Sequence, residues 1–272
     1  MALELSVVVP MHNEAGNVAR LAHEIAAVLR SKAFELVLVD DGSTDGTLAE
    51  ALHLRADIPQ LRVIRHPERL GQSAAIWSGV RAARADWVVT LDGDCQNDPH
   101  DIEALIRARE ADRGDVRLVV GHRIERHDTR WRRLQSSIAN GVRGWLLGDR
   151  APDTGCGLKL FARATFLALP RFDHMHRFLP ALFLREGARV VSIPVRHRPR
   201  AAGRSKYGML ERLAQGLVDL AGVLWLVRRA WPTPPPRESA SGPYELAHSD
   251  TNACAQSRSP APGSPAAAGR AF

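Results

Sequence analysis

Residues Trp87 to Pro99, reading W-V-V-T-L-D-G-D-C-Q-N-D-P, constrain this chain more than any other stretch. Val88 to Leu91 form a short, β-branched, apolar run, the pattern of a strand buried on both faces in a parallel sheet. At its carboxyl end the sequence turns abruptly acidic, with Asp92, Asp94 and Asp98. Gly93 admits backbone angles that a side chain would forbid. Two carboxylates one residue apart on a non-helical segment can approach one hard cation, which takes oxygen ligands and keeps open positions for a diphosphate. A plain acidic turn is the alternative, but clustered acids at a buried strand end need a compensating charge, so Asp92 and Asp94 read as a cation site. Asp98 reads as the cap of a helix that Pro99 opens.

The same rhythm runs through the chain. Leu5 to Val9 predict a first strand stopped by Pro10, after which Asn13 offers a cap to a helix carrying Val18, Leu21, Ile25, Val28 and Leu29. Leu36 to Val39 predict a second strand ending in D-D-G-S-T-D-G-T, with Asp45 capping the next helix. Leu61 to Ile64, Val116 to Val120 and Val190 to Val195 predict further strands, separated by helical spacing at Ser73 to Ala83 and Ile102 to Ile106. Strands alternating with helices predict an α/β fold, a mainly parallel sheet with helices on both faces. Ligands of such sheets sit beyond the strands' carboxyl ends, where Asp40, Asp41, Asp92 and Asp94 all fall. No G-x-G-x-x-G follows the first strand and no Walker A lysine motif is present, which disfavours a dinucleotide enzyme and a P-loop nucleotidase.

A chain of 272 residues can bury one large core. The net charge of +7 points to an anionic partner: nucleic acid, acidic membrane or a phosphorylated substrate. Cys95, Cys156 and Cys254 stand at unrelated spacings that suit neither a zinc site nor a disulfide framework, consistent with a reducing cytoplasm. No stretch reaches the ~18 uninterrupted apolar residues of a spanning helix, and the apolar run near the N-terminus is too short for a signal peptide.

D-G-D-C-Q-N-D-P resembles the D-x-D-x-Q segment of the family-2 glycosyltransferases, in particular the polyprenyl-phosphate sugar synthases of the dolichyl-phosphate mannosyltransferase type. The likeness spans residues ~5 to 230, close to the whole of the periodic part of the chain. V-V-P-M-H-N-E at Val8 to Glu14 is similar to the family's V-P-x-Y-N-E, with His12 in place of tyrosine; V-G-H-R at Val120 to Arg123 resembles V-x-G-S-R; D-T-G-C-G-L-K at Asp153 to Lys159 resembles D-x-x-S-G-F, with Cys156 for serine and Leu158 for phenylalanine. The resemblance implies the GT-A nucleotide-sugar transferase fold. It places Pro10, His12, Glu14, Asp40, Asp41, Gly71, Gln72 and Asp92 around the nucleotide sugar, with Asp40 and Asp41 reaching base and ribose. It implies Mg2+ or Mn2+ on Asp92 and Asp94, Gln96 against the donor sugar or diphosphate, and Arg123 facing the diphosphate. H-R-P-R-A-A-G-R-S-K-Y-G at His197 to Gly208 resembles an acceptor loop, making Arg200, Ser205 and Lys206 candidates for gripping a phosphate.

Other segments leave alternatives open. The arginine-rich stretch from Arg126 to Arg150, with Ile138, Val142, Trp145 and Leu146 at helical spacing, is a solvated face over a core stripe or faces phospholipid. In F-D-H-M-H-R-F at Phe172 to Phe178, no third ligand stands near His174 and His176, so a metal site is disfavoured; the resemblance puts the segment beside the sugar pocket. Tyr207 to Trp231 is helical by pattern. A core helix and an interfacial membrane helix both fit it; Trp225, Arg228 and Arg229 favour the interface, and Asp219 in mid-helix argues against spanning.

The expected organisation is therefore a GT-A-like catalytic domain over 1–206, including the loop 197–206, an amphipathic helix over 207–231, and a Pro/Ser/Ala/Gly-rich disordered tail over 232–272. The expected reaction moves a hexose, mannose first, from a nucleotide diphosphate sugar to a polyprenyl phosphate by metal-assisted inverting displacement. The expected site of action is the inner face of the cell membrane, reached peripherally or through a separate small membrane subunit. Another sugar or acceptor, as in cell-envelope polysaccharide or lipid A modification, is the nearest alternative. A processive polysaccharide synthase would carry Q-x-x-R-W and spanning helices, neither of which occurs. A nucleic-acid-binding protein would explain the basic charge and leave the acid cluster, which repels phosphate, without a purpose.

Overall fold

The structure, a computed structural model, describes residues 2–112, 116–124, 141, 143–149, 151–198 and 209–229, with side chains of the last segment from Gly216 onward. In chain order the elements are β1 (Leu5–Met11), α1 (Val18–Val28), β2 (Phe34–Asp41), α2 (Thr47–His53), β3 (Leu61–His66), α3 (Gln72–Ala82), β4 (Trp87–Thr90), a 3₁₀ turn (Pro99–Asp101) running into α4 (Ile102–Ala111), β5 (Val116–Arg123), β6 (Lys159–Ala162), α5 (Arg163–Ala168), a 3₁₀ turn (Met175–Arg177), α6 (Leu179–Arg185), β7 (Arg189–Val195) and α7 (Met209–Arg228).

The strands form one sheet in the order β3-β2-β1-β4-β6-β5-β7. Only β6 runs against its neighbours; the pairings β2–β3, β1–β2, β1–β4 and β5–β7 are parallel. The strands are apolar on both faces because both faces are covered. Val7 and Val9 of β1 join Leu36 and Leu38 of β2 in one core with α1 and α4. Val8, Val37 and Val39 join the other core, built with α3, α6 and Val223 of α7.

The strand expectations hold, with longer bounds for all but β4, which is shifted by one residue to Trp87–Thr90, and two details differ. Pro10 does not stop β1, which continues to Met11 in register with β2. Its missing N–H is harmless because β4 pairs only with Ser6 to Val8, so Pro10 lies beyond the part of β1 bonded on both sides. Asn13 does not cap α1, which begins at Val18 behind Asn17. Asn13 instead adopts a left-handed backbone and its side-chain carbonyl accepts the Thr44 N–H at 2.8 Å, tying the ends of β1 and β2 together.

β6 has no counterpart among the strands that periodicity predicts. Four residues are too short for periodicity to announce. Its reversed direction matters: the residue that begins it, Lys159, pairs with Thr90 and Val120 and so arrives at the sheet edge where the parallel strands end.

Candidate active site

Asp92 stands two residues beyond the end of β4, after the buried Leu91, and its carboxylate is fixed from two sides. Gln72, the first residue of α3, donates from Nε2 to Oδ1 at 2.8 Å. On the other side lies Gly157, where a Cβ would stand 2.3 Å from the carboxyl carbon. The Asp92 N–H donates to Asn97 Oδ1 at 3.2 Å, and Asp94 Oδ1 accepts the Gln96 N–H at 3.1 Å, closing the turn on itself. Gly93 is needed here for space: a Cβ would meet the Pro10 carbonyl oxygen at 3.1 Å. The left-handed backbone in this turn belongs to Cys95. Burial and the neighbouring charge of Asp94 push the Asp92 carboxyl up to about 6, against the opposing pull of Lys159 and Arg123. Two carboxylates held this way offer hard oxygen donors, and a buried carboxylate beside a second one is stabilised by a counter-charge, which fits a divalent cation. Among the described residues no group of three or more His, Cys, Asp or Glu is assembled, so a cation here would complete its shell with ligand oxygens and water.

The end of β2 forms the neighbouring wall. Asp40 is buried, accepts the Ser43 N–H at 3.3 Å through Oδ1, and keeps Oδ2 buried without a hydrogen-bond partner. Such an oxygen is an acceptor awaiting a donor. Asp41 is different. Its Oδ1 accepts from His66 Nδ1 at 2.8 Å and the Leu70 N–H at 2.9 Å, and its Oδ2 accepts the Gly71 N–H at 2.9 Å. Burial pushes the Asp41 carboxyl up, and these hydrogen bonds outweigh it, leaving it below the ordinary value. Asp41 therefore holds the loop that delivers Gly71 and Gln72. His12 donates from Nδ1 to the Asp41 carbonyl oxygen at 2.8 Å, and Glu14 accepts from Asn17 Nδ2 at 2.8 Å. Pro10 lends its carbonyl to the crowded approach over Gly93.

Arg123 ends β5. Its Nε and Nη2 grip Asp153 at 2.6 and 2.9 Å. Burial alone would lower the guanidinium, but Asp153 more than offsets it. The side chain is thus oriented from behind by a carboxylate, with Gly155 packed close to Nη2. Lys159 is buried, and its ammonium donates to the carbonyls of Thr154 and Cys156, bracing the loop that carries Gly157. Burial pulls its proton affinity down, while Asp92 and Asp153 act in the opposite sense. Neither Gly157 nor Lys159 stands among the expected site residues, although both lie in the D-T-G-C-G-L-K segment that signalled the region.

Gln96 meets the chain at His197 and Arg198. Its Nε2 lies 3.4 Å from His197 Nε2, its carbonyl accepts the Arg198 N–H at 2.8 Å, and Asn97 bridges to His197. The chain leading toward Arg200 is thereby stitched to the acidic turn; Arg200, Ser205 and Lys206 themselves lie outside the described residues. Asp98 does cap the turn at Pro99, accepting the His100 N–H at 3.0 Å. It also pairs with Arg198 at 2.9 Å and Arg196 at 3.3 Å. In the arginine-rich stretch, Arg143 is buried in a fork on Asp149 at 2.8 and 3.2 Å, while Trp145, which one of the two readings put in a core stripe, is 82% exposed; Ile138 and Val142 lie outside the described residues.

Comparison with known proteins decides the family. Residues 6–176 match the model described as Glycosyl transferase family 2. The chain belongs to that family. It is 36% identical over 233 residues to the dodecaprenyl-phosphate galacturonate synthase of Rhizobium johnstonii, covering 84% of this chain and 68% of that one. It is also 36% identical over 224 residues to the undecaprenyl-phosphate 4-deoxy-4-formamido-L-arabinose transferase of Edwardsiella ictaluri, covering 81% and 67%. The chain spans about two thirds of these relatives' length. Among solved structures, mannosyl-3-phosphoglycerate synthase from Rubrobacter xylanophilus superposes with a TM-score of 0.66 at 19% identity, covering 87% of this chain and 79% of that one. Glucosyl-3-phosphoglycerate synthase from Mycobacterium tuberculosis, in complex with Mn2+, UDP and phosphoglyceric acid, gives 0.62 at 22% identity, covering 85% and 80%. The family-2 chain thus has the GT-A fold, and it is a glycosyltransferase.

Proposed function

We propose that this glycosyltransferase moves a sugar from a nucleotide diphosphate sugar to a polyprenyl phosphate. The observation that carries this reading is the 36% identity, over four fifths of the chain, to two transferases whose names both carry a polyprenyl phosphate. Those names also redirect the sugar. Galacturonate and 4-deoxy-4-formamido-L-arabinose stand in the relatives' names, so mannose gives way to a sugar of that kind.

Asp92 and Asp94 would hold Mg2+ or Mn2+, which when bound supplies Lewis-acid stabilisation of the departing diphosphate. Asp40 offers its unpartnered Oδ2 to an N–H of the nucleotide base. Arg123, steadied by Asp153, adds positive charge beside the acid pair. Gln96 and the chain at His197 and Arg198 lead toward the acceptor side, where Arg200, Ser205 and Lys206 would grip the phosphate. A phosphate monoester, with a second pKa of about 6, arrives largely dianionic. Its oxygen attacks the anomeric carbon as the diphosphate leaves from the opposite face, with inversion and with no side chain needed to remove a proton.

Among the described residues no helix is long and apolar enough to cross a membrane. The 207–231 helix, described from Met209 to Arg228 as α7, shows a divided surface: Val223 is buried in the core, while Leu217, Val218 and Trp225 are exposed. We infer that this outer face lies on the cytoplasmic surface of the membrane that carries the acceptor, with Arg228 and Arg229 near anionic headgroups. No observation calls for a separate membrane subunit.

The deciding experiment incubates purified protein with Mn2+, undecaprenyl phosphate and labelled UDP-galacturonate, UDP-4-deoxy-4-formamido-L-arabinose, UDP-glucose and GDP-mannose. Transfer of one of the first two to lipid supports the proposal. Transfer only to a water-soluble acceptor would overturn it.

A further inference from the structure

The turn from Phe172 to Phe178 has no part in the chemistry above, yet its two histidines join two distant elements. His174 Nδ1 lies 2.9 Å from Oδ2 of Asp219 in α7, with the Asp173 carboxylate 3.6 Å from Nε2. His176 Nδ1 lies 2.7 Å from Ser73 Oγ, and the same hydroxyl oxygen accepts the His176 backbone N–H at 3.3 Å. Burial, with the positive charges of Lys159 and Arg177, keeps the His176 ring well below its ordinary proton affinity, so it is neutral, and Nδ1 shares one hydrogen bond with the Ser73 hydroxyl. Ser73 is the second residue of α3, immediately after Gln72, whose amide holds Asp92 at 2.8 Å. Between the histidines, Met175 is buried and pins the turn to the core.

His174 adopts a left-handed backbone with φ of 61°. A residue with a Cβ stays in that region only when its surroundings over-determine it. Here they do: its carbonyl accepts the Arg177 N–H at 3.0 Å, its own N–H donates to Asp173 Oδ1 at 2.8 Å, and its ring is held by Asp219. The apolar packing of α7 through Val223, Leu220 and Leu224 is non-directional and tolerates small slides. A hydrogen bond to a carboxylate is narrow in distance and angle, so it fixes the register of the helix against the turn.

We propose that Asp219 and His174 are positioning residues for the Asp92 site: the seat of α7 sets the 172–178 turn, the turn sets Ser73 and the first turn of α3, and Gln72 carries that setting to the Asp92 carboxylate. The functional meaning rests on the donor site proposed above; the mechanical link does not.

Hydrogen exchange on the full chain tests the link without any ligand. In Asp219→Ala, the backbone amides of residues 174–178 and those of Leu70, Gly71 and Ala75, which bond to Asp41 and to the Gly71 carbonyl, should exchange at least threefold faster. Asp219→Asn keeps an oxygen for His174 and should stay within twofold of the parent. His174→Asn tolerates the left-handed backbone but cannot span to Asp219, and should repeat the Asp219→Ala pattern if that variant folds poorly. Faster exchange confined to α7 and 174–178, with Leu70, Gly71 and Ala75 unchanged, would overturn the proposal, as would no change anywhere. A second arm titrates UDP with Mn2+: the dissociation constant should rise threefold or more in Asp219→Ala and stay within twofold of the parent in Asp219→Asn. Loosened amides at 70–75 with an unchanged dissociation constant would leave the link standing and count against Asp92 as the donor site.

Discussion

The backbone of Gly157 rests on the carboxyl group of Asp92, so close that a methyl group at position 157 would lie 2.3 Å from the Asp92 carboxyl carbon and from one of its oxygens. Any side chain at 157 must displace Asp92 or the loop from Asp153 to Lys159. Gly157→Ala should therefore lower turnover at least tenfold, with a loss of stability in the ~1–3 kcal/mol range of an overpacked site. Steady-state kinetics beside a thermal melt checks it; an alanine variant with full activity would mean that the approach is not required.

Asp94→Asn should leave the fold intact, because the Gln96 N–H that Asp94 accepts can be taken by an amide oxygen as well. It removes a charged oxygen donor from the proposed cation site, and turnover should drop by orders of magnitude. Full activity in excess EDTA would sink the metal assignment.

The raised carboxyl of Asp92 makes a signed prediction about stability. A carboxyl whose folded value, about 6, exceeds its ordinary 3.8 favours the fold while protonated, so its contribution is complete below pH ~4 and is lost as pH rises through ~6. A tenfold change in proton affinity is worth about 1.4 kcal/mol, so the metal-free protein should lose on the order of 3 kcal/mol across that window through this group. Calorimetry in EDTA from pH 4 to 7 measures it. Asp92→Asn should flatten that slope, and Mn2+ should raise the melting temperature of the parent at pH 7 more than at pH 5.

Asp98→Asn separates the cap, which the sequence shows, from the ion pairs that only the fold supplies. As a helix cap, asparagine replaces aspartate with little loss. Asp98 is, however, buried with Arg198 and Arg196 against it, and although burial pushes its carboxyl up, the His100 hydrogen bonds and the two arginines hold it below the ordinary value. Its contribution is present above pH ~4 and fades as pH falls. Removing the charge should cost roughly 1–3 kcal/mol at pH 7, the range for a charged hydrogen-bond partner taken from a buried site, measured by urea unfolding. A change within ±0.5 kcal/mol would return Asp98 to the role of a simple cap.

On α7 the two faces should separate in experiment. Leu217→Gln with Trp225→Ala, both on the exposed face, should weaken binding to anionic vesicles several-fold and leave the melting temperature unchanged. Val223→Ala should do the reverse, lowering stability by ~1–3 kcal/mol through its buried contacts. Raised salt should release the parent only partly, since apolar burial is not screened. Vesicle binding that ignores the first pair would place the membrane contact elsewhere.

The sequence by itself determined the sheet, the end of the sheet at which a ligand sits, and the acids that gather there. Each of these is written in local terms: runs such as Val7 to Val9 and Leu36 to Val39 that bury both faces, and aspartates placed where such runs stop. Tertiary structure alone decided which of those groups are free to act. Asp40 and Asp41 are indistinguishable neighbours in the chain, yet alternation across a strand leaves one carboxylate with a buried Oδ2 that has no hydrogen-bond partner and sends the other into the loop at Leu70 and Gly71. The strand at Lys159 is four residues long and takes its direction from the partners on either side, so nothing local announces that it brings a buried ammonium and Gly157 to Asp92. The link from Asp219 to Ser73 spans residues far apart in the chain, and no period or motif encodes a contact that exists only once both core faces have closed. Local periodicity reports which residues share a face; it carries no record of which distant group will meet them there, and that meeting is what makes an acid a ligand, a scaffold or a cap.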